Sequence, residues 1–256
     1  FDGSMSHVYF IQGYVYDKIV VTGIPQFDFY ARKEGLLSRE EFCKKHNLDP
    51  SKKIILYGSS GAQLFDEAKH VLLIREAMRQ GELVSANILV RPHLGYRGDA
   101  DRFAALKDEG RVVVDKSDKQ NHELRDHFDT SEDHIHNLFN SLYHVDVCVN
   151  AASTLSLDAV ACGTEVVNFD FDAESVSRKN DSIRRLFVSD YVKELMASGG
   201  TWLAKNEKEF LTVLKGILEK GKQKDSKKMI DTFMHKTDGK SAERITGALI
   251  RIVNQA

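Results

Sequence analysis

The 256-residue chain predicts an α/β domain, a doubly wound parallel sheet with a helical C-terminal tail. Three observations predict it. Six short runs rich in β-branched residues are apolar throughout instead of alternating, as strands covered on both faces are. Segments with apolar residues three and four apart stand between them, the spacing of amphipathic helices. Strand-helix alternation of this kind closes into parallel strands joined by crossovers.

In chain order the expected strands are "DKIVVTG" (17–23), "KKIILYGS" (52–59), "ANILVRP" (86–92, ended by Pro92), "GRVVVD" (110–115), "VDVCVNA" (145–151) and "TEVVNFDF" (164–171). "TWLAK" (201–205) is a weaker seventh. The expected helices between them cover 38–47, 64–80, 99–109, 132–144 and 153–162, and after Trp202 the chain turns helical over 206–220, 223–235 and 240–255. No repeat interrupts this order. Residues 18–256 read as one domain, and 1–17 as a leader or the remnant of a linker.

Composition narrows the function. Lys and Arg number 36 against 38 Asp and Glu, a net charge of -2, so the chain is no general polyanion binder and nucleic acid is not an expected partner. No run approaches the roughly 18–20 apolar residues of a membrane span, and "FDGSMSHVYFIQG" has no signal-peptide pattern. Cys43, Cys148 and Cys162 lack CxxC spacing and read as reduced thiols of a cytoplasmic protein.

In open parallel sheets ligands bind beyond the carboxyl ends of the strands, so the strand-to-helix loops carry the chemistry. In "YGSSGAQ", Gly58 and Gly61 permit a tight loop while Ser59 and Ser60 offer hydroxyls at the next helix start, which suits an oxyanion or merely an N-cap. In "VRPHLGY", Arg91 and His93 are expected at the rim, fit for phosphate binding or leaving-group protonation; the alternative pairs Arg91 with a carboxylate. In "NAASTLSLD", the small Ala151 and Ala152 allow close backbone approach, Ser153 and Thr154 open a helix, and Asp158 lies one turn inward, where it can accept from ribose hydroxyls. "NAASTL" lacks the G-x-S-x-G elbow of a nucleophilic serine. Asp170 and Asp172, in "NFDFDAESVSRKN", either touch a hydroxylated ligand or cap a helix.

Five histidines, His122, His127, His134, His136 and His144, crowd one stretch. Their spacing is not that of a metal site and no metal is expected. His134, near a helix start, is read as a contact to a base or phosphate.

With these loops in order, the sequence resembles the C-terminal, donor-binding half of GT-B glycosyltransferases. It is most similar to bacterial surface-polysaccharide and CDP-glycerol glycerophosphotransferase-type transferases. The resemblance lies in "VTGIPQFD" (21–28), "KKIILYGSSG" (52–61), "ILVRPH" (88–93), "DVCVNAASTLSLDAVACGTEVVNFDFD" (146–172), "SGGTWLAKNEKEF" (198–210) and "DGKSAERI" (238–245). It implies a Rossmann-like fold and a metal-independent transfer from a nucleotide-activated donor (UDP, CDP or CMP undetermined), with no separate cofactor. It implies that His93, beside Arg91, and the pair Ser153-Thr154 hold the donor phosphates, that Asp158 handles the ribose (many relatives have Glu), and that Gly58 to Gly61 lie against an interdomain cleft. It also implies an acceptor, a carbohydrate or lipid-linked, bound by an N-terminal domain supplied in cis or in trans. The alternatives are a non-hydrolysing UDP-sugar 2-epimerase-like enzyme, whose Arg- and Glu-rich signature is not evident in "NFDFDAESVSRKN", and a non-catalytic nucleotide-binding or scaffold module. The basic segment 215–228 reads as a solvated helix face, with peripheral contact to the inner face of a membrane as the second reading.

Overall fold

In the computed structural model, residues 19–61, 66–93, 98–106, 111–116, 131–174 and 182–255 are described. Among them six strands form one sheet: β1 (Lys53–Gly58), β2 (Ala86–Arg91), β3 (Val112–Val114), β4 (Val147–Asn150), β5 (Glu165–Phe169) and β6 (Trp202–Ala204). Their order is β3-β2-β1-β4-β5-β6, and every neighbouring pair is parallel. The expected doubly wound α/β architecture is therefore present.

The helices are α1 (Gln26–Arg32), α2 (Arg39–Lys45), α3 (Ala68–Arg79), α4 (Asp99–Arg102), α5 (Glu132–His144), α6 (Leu155–Ala161), α7 (Asp190–Ala197), α8 (Glu207–Lys220), α9 (Lys227–Phe233) and α10 (Ser241–Gln255), with 3-10 turns at Ala104–Leu106 and Ile183–Val188. The capping chemistry matches these starts: Ser38 and Glu41 form a reciprocal capping box on α2, and Ser131, Ser189 and Asn206 each accept from a first-turn amide of α5, α7 and α8.

Alternate residues of each strand point to opposite faces, and both faces are covered. Ile55, Tyr57, Val90, Phe169, Phe210 and Leu214 belong to one core. Ile54, Leu56, Phe42, Phe139, Leu157 and Val160 belong to the other. This double burial is what makes the strand sequences predominantly apolar instead of alternating, with Asn87, Arg91, Asn150, Glu165 and Asn168 as buried polar exceptions.

Besides the helix expected over 99–109, which among the described residues is only α4 and the 3-10 turn Ala104–Leu106, two features depart from the sequence reading. The strand expected over 17–23 is absent where it is described: 19–23 lie in no strand, Val20 and Val21 are exposed, and residues 17 and 18 fall outside the described set. Gly23, at φ +89°, turns the chain into α1, and a Cβ there would stand 2.7 Å from Ser241 Oγ. Instead of a seventh strand, this segment forms a brace. Buried Asp28 in α1 accepts from the amides of Ser241 and Ala242, both at 2.9 Å, and so caps α10 from the far end of the chain. Helices α1 and α7 are the other departure, since the sequence reading assigns neither.

Candidate functional site

The strand register sets up the site. Gly58, the last residue of β1, pairs with Arg91 on one side and Asn150 on the other, so three strands end at one level. The chain winds outward from β1 through β2 to β3 and then returns to β4 on the opposite side of β1. The β1/β4 boundary is thus the topological switch point, where adjacent loops diverge and leave a crevice.

The loop after β1 is tightly braced. A Cβ on Gly58 would overlap Leu155 Cδ2, so glycine is needed there for close approach to the start of α6. Gly61 has φ +70°, the conformation anticipated for a tight turn. The serines, however, do not open a helix: α3 begins only at Ala68. Residues 62–65 lie outside the described set. The three amides of the loop already have protein acceptors, Ser59 N with Arg91 O (3.0 Å), Ser60 N with Glu67 Oε1 (3.0 Å) and Gly61 N with Ser59 Oγ (3.1 Å). The hydroxyls of Ser59 and Ser60 both donate to Glu67 Oε2, at 3.2 and 2.8 Å. Burial drives the Glu67 carboxyl above its usual range, against the opposing pull of the Ser60 bonds and Arg102.

The loop after β2 carries Arg91 and His93 at different depths. Arg91 is buried, and its Nη1 donates to Asp115 Oδ2 at 3.0 Å; His46 Nδ1 stands 3.7 Å from the other oxygen of Asp115. Its guanidinium is therefore engaged at the end of β3 rather than projecting from the rim. His93 is half-buried, and its main-chain N donates to Asp99 Oδ2 at 2.8 Å. Burial lowers the affinity of its imidazole for a proton, with nearby Asp99 acting the other way.

The loop after β4 holds the densest polar arrangement. Ala152 adopts φ +48°, a left-handed conformation unusual for a residue with a Cβ. Asn150 Oδ1 accepts from Ser153 N (3.1 Å) and Ser156 Oγ (3.2 Å), while Ser153 Oγ accepts from Leu155 N (3.2 Å). Thr154 is exposed at the helix start and makes no side-chain cap. One turn on, Asp158 faces α1: its Oδ1 accepts from Gln26 Nε2 (2.7 Å) and Tyr30 Oη (2.9 Å), and neither bond uses Oδ2. Burial pushes the Asp158 carboxyl up to about 6, while the Tyr30 bond, Arg91 and His134 oppose it. Arg91, from β2, and His134, in the first turn of α5, thus exert their charge on the same carboxylate.

In the loop after β5, Asp172 accepts from Ser182 Oγ (2.6 Å) and Ile183 N (2.8 Å), which settles it as a cap of the 3-10 turn. Asp170 keeps a buried Oδ1 without a partner among the described residues, and burial raises its carboxyl. Burial likewise pushes the Cys148 thiol up to about 12, so it stays protonated at neutral pH.

Buried charges therefore link the loop Gly58 to Gly61 with His93, Arg91 and His134 bear on Asp158, and Ser153 and Thr154 lie on the loop that leaves β4. Residues not anticipated from the sequence are Glu67, Asp99, Arg102, Asp115, Gln26 and Tyr30. Among the described residues no group of three or more His, Cys, Asp or Glu side chains is placed to hold a metal ion; His122 and His127 lie outside them. Among the same residues no helix is long and apolar enough to cross a membrane.

Solved structures with this architecture include the wall teichoic acid polymerase TagF, as the H444N variant soaked with CDPG (16% identity, TM-score 0.59, covering 95% of this chain and 54% of that one). They also include the UDP-GlcNAc 2-epimerase of Methanocaldococcus jannaschii in complex with UDP-GlcNAc and UDP (15%, 0.57, 98% and 59%) and a UDP-N-acetylglucosamine 2-epimerase homologue from Listeria monocytogenes (14%, 0.53, 96% and 57%). At such identities the likeness establishes the fold, which transferases and epimerases share. The chain spans 54–59% of the length of these structures. No curated protein matches it. The family model for CDP-Glycerol:Poly(glycerophosphate) glycerophosphotransferase matches residues 4–251, and the chain belongs to that family.

Proposed function

We propose that residues 18–256 form the donor-binding unit of a metal-independent GT-B transferase, which moves glycerophosphate from a CDP-glycerol-type donor onto a surface polymer. The observation that carries this reading is the family match over 4–251, lying on a sheet whose β1, β2 and β4 loops leave from one level. In the reaction an acceptor hydroxyl oxygen attacks the glycerol-bearing phosphorus and loses its proton. The new P–O bond forms as the bond to the leaving CMP oxygen breaks, and the electron pair departs with CMP.

The rim supplies what this chemistry needs on the donor side. Ser153 and Thr154 are assigned to the phosphates on the β4 side, and His93 to the leaving phosphate, to which it donates a hydrogen bond or proton. Ground-state burial favours neutral imidazole at His93. The anionic donor phosphates beside it oppose that preference, so a protonated imidazole gives its hydrogen bond or proton to the leaving oxygen as charge develops there. Arg91 and His134 contribute positive potential. Asp158, through Oδ2, is assigned to the ribose. The loop 58–61, with its amides already engaged, forms the wall of the crevice rather than an anion cradle.

The acceptor and the catalytic base are assigned to a second domain, in cis or in trans, at the inner face of the membrane. The 54–59% span of the related structures and the free cysteines support that reading. The epimerase reading has only the shared fold behind it.

Isothermal titration of the chain with CDP-glycerol, CMP, UDP and UDP-GlcNAc tests the proposal. Cytidine nucleotides should bind, and Ser153→Ala with Thr154→Ala should weaken binding about tenfold or more, since each charged hydrogen bond contributes about 1.5–3 kcal/mol. Preference for UDP-GlcNAc would favour the epimerase, and absence of binding to all four would favour the scaffold.

A further inference from the structure

We propose that Glu67, Arg102 and Asp99 are positioning residues that lock the crevice wall after β1 to His93 after β2, so that the two loops move as one unit. This inference rests on the donor-binding reading of His93 given above. The connection is continuous. Ser59 Oγ, Ser60 N and Ser60 Oγ all donate to the Glu67 carboxylate. Arg102 Nη2 donates to Glu67 Oε2 at 3.3 Å, and Arg102 Nη1 donates to Asp99 Oδ1 at 2.7 Å. Asp99 Oδ2 in turn accepts from the main-chain N of His93 at 2.8 Å.

Burial makes this arrangement informative. Glu67 is 0% and Asp99 2% exposed, while the Arg102 side chain retains 19%. Two carboxylates withdrawn from water this far need compensation, and a single guanidinium between them supplies it. Simple packing of two loops needs no such charges, because apolar side chains of similar volume hold buried segments at least as well. What charges add is direction. The guanidinium has donors at fixed angles, so seating one nitrogen on Glu67 fixes where the other meets Asp99.

The consequence is mechanical. Displacement of the wall loop rotates Glu67, moves Arg102 off Asp99 and releases the His93 backbone, although Glu67 makes no contact with His93 in this chain of bonds. None of the three side chains is assigned to the donor; they act through the residues they hold. An enzyme that must place an imidazole against a leaving phosphate gains from this, because small misplacements of a catalytic group carry large rate losses.

The test uses the 256-residue chain with Glu67→Gln, Asp99→Asn and the double variant. Backbone amide exchange at Ser60 and His93, followed by NMR without ligand, reads the coupling. Glu67→Gln should accelerate exchange at the His93 amide, and Asp99→Asn at the Ser60 amide, each about tenfold. In calorimetric titration with CDP-glycerol the double variant should lose no more affinity than the weaker single variant, because the network fails as a unit. Changes confined to each variant's own loop, with binding losses that multiply, would overturn the proposal. Should Glu67→Gln not fold, Arg102→Lys takes its place: it keeps the cation but not the two-pronged donor. It should accelerate exchange at both amides, and unchanged exchange at either overturns the inference. If the parent chain binds no nucleotide, the donor reading fails, while the amide measurements still decide the coupling.

Discussion

Asp158 shows two opposing forces acting on one carboxyl: burial, which favours the neutral acid, and the Tyr30 hydroxyl with nearby Arg91 and His134, which favour the anion. Burial prevails, raising the carboxyl from 3.8 to about 6. Between those values the folded chain holds a proton that the unfolded chain has released. The stabilising contribution is therefore complete below 3.8 and lost as pH rises through about 6. Replacement by Asn removes the titration but retains an Oδ1 to accept from Gln26 and Tyr30. The urea midpoint of the parent should fall relative to Asp158→Asn as pH goes from about 5 to about 7, and parallel profiles would refute the assignment. Gly58 raises a purely steric question at the same scale. Any Cβ there meets Leu155, so Gly58→Ala should cost about 1–3 kcal/mol by overpacking, and Leu155→Ala in the same chain should recover part of it. Equilibrium denaturation of the three variants checks both statements.

Among the elements, α1 and α10 depend on each other more than on their own sequences. Burial alone would raise the Asp28 carboxyl, but the amides of Ala242 and Ser241 outweigh it and leave the group lowered. Asp28→Asn leaves one acceptor for two amides, so stability should drop by about 1–3 kcal/mol. Exchange at Ser241 and Ala242 should quicken more than in β1 or β4; uniform acceleration throughout would show that the contact is not local. The same pair explains what the sequence conceals. Strands β1, β2, β4 and β5 are legible within two residues because both faces of the sheet are covered and apolar residues run on without alternation. Helix α1 is seven residues long, and its buried face includes an aspartate whose partner lies 213 positions away. No local pattern can announce that. "DKIVVTG" (17–23) reads as a strand by composition, yet β3 and β6 occupy the sheet edges and its described part, 19–23, stays outside. The site divides in the same way. Strand order predicts which rim to search, and Ser153, Thr154 and His93 are found there. Glu67, Asp99 and Arg102 carry no sequence signal beyond their places in the helices expected over 64–80 and 99–109. Only folding reveals that they share one buried network.

On the scale of the whole molecule, the switch point lies where the two halves of the sheet diverge, with β1, β2 and β3 on one side and β4, β5 and β6 on the other. A ligand seated there touches loops from both halves and binds only when both are folded. Binding must then stabilise the entire chain by linkage: at a free concentration about a hundredfold above Kd, the gain is about 2.7 kcal/mol. For a chain of this size that corresponds to roughly 5–10 °C in Tm. Thermal unfolding in increasing CMP or CDP-glycerol should show this rise, with no comparable shift from glycerol phosphate alone if the nucleotide supplies most of the contacts. Ser153→Ala with Thr154→Ala should reduce the rise while leaving the unliganded Tm nearly unchanged, since Thr154 is exposed and Ser153 bonds only within its own turn. A rise that survives this double replacement intact would place the nucleotide elsewhere on the molecule. A large fall in the unliganded Tm would show instead that the turn after β4 is held for stability, which would remove the strongest reason for reading it as a phosphate site.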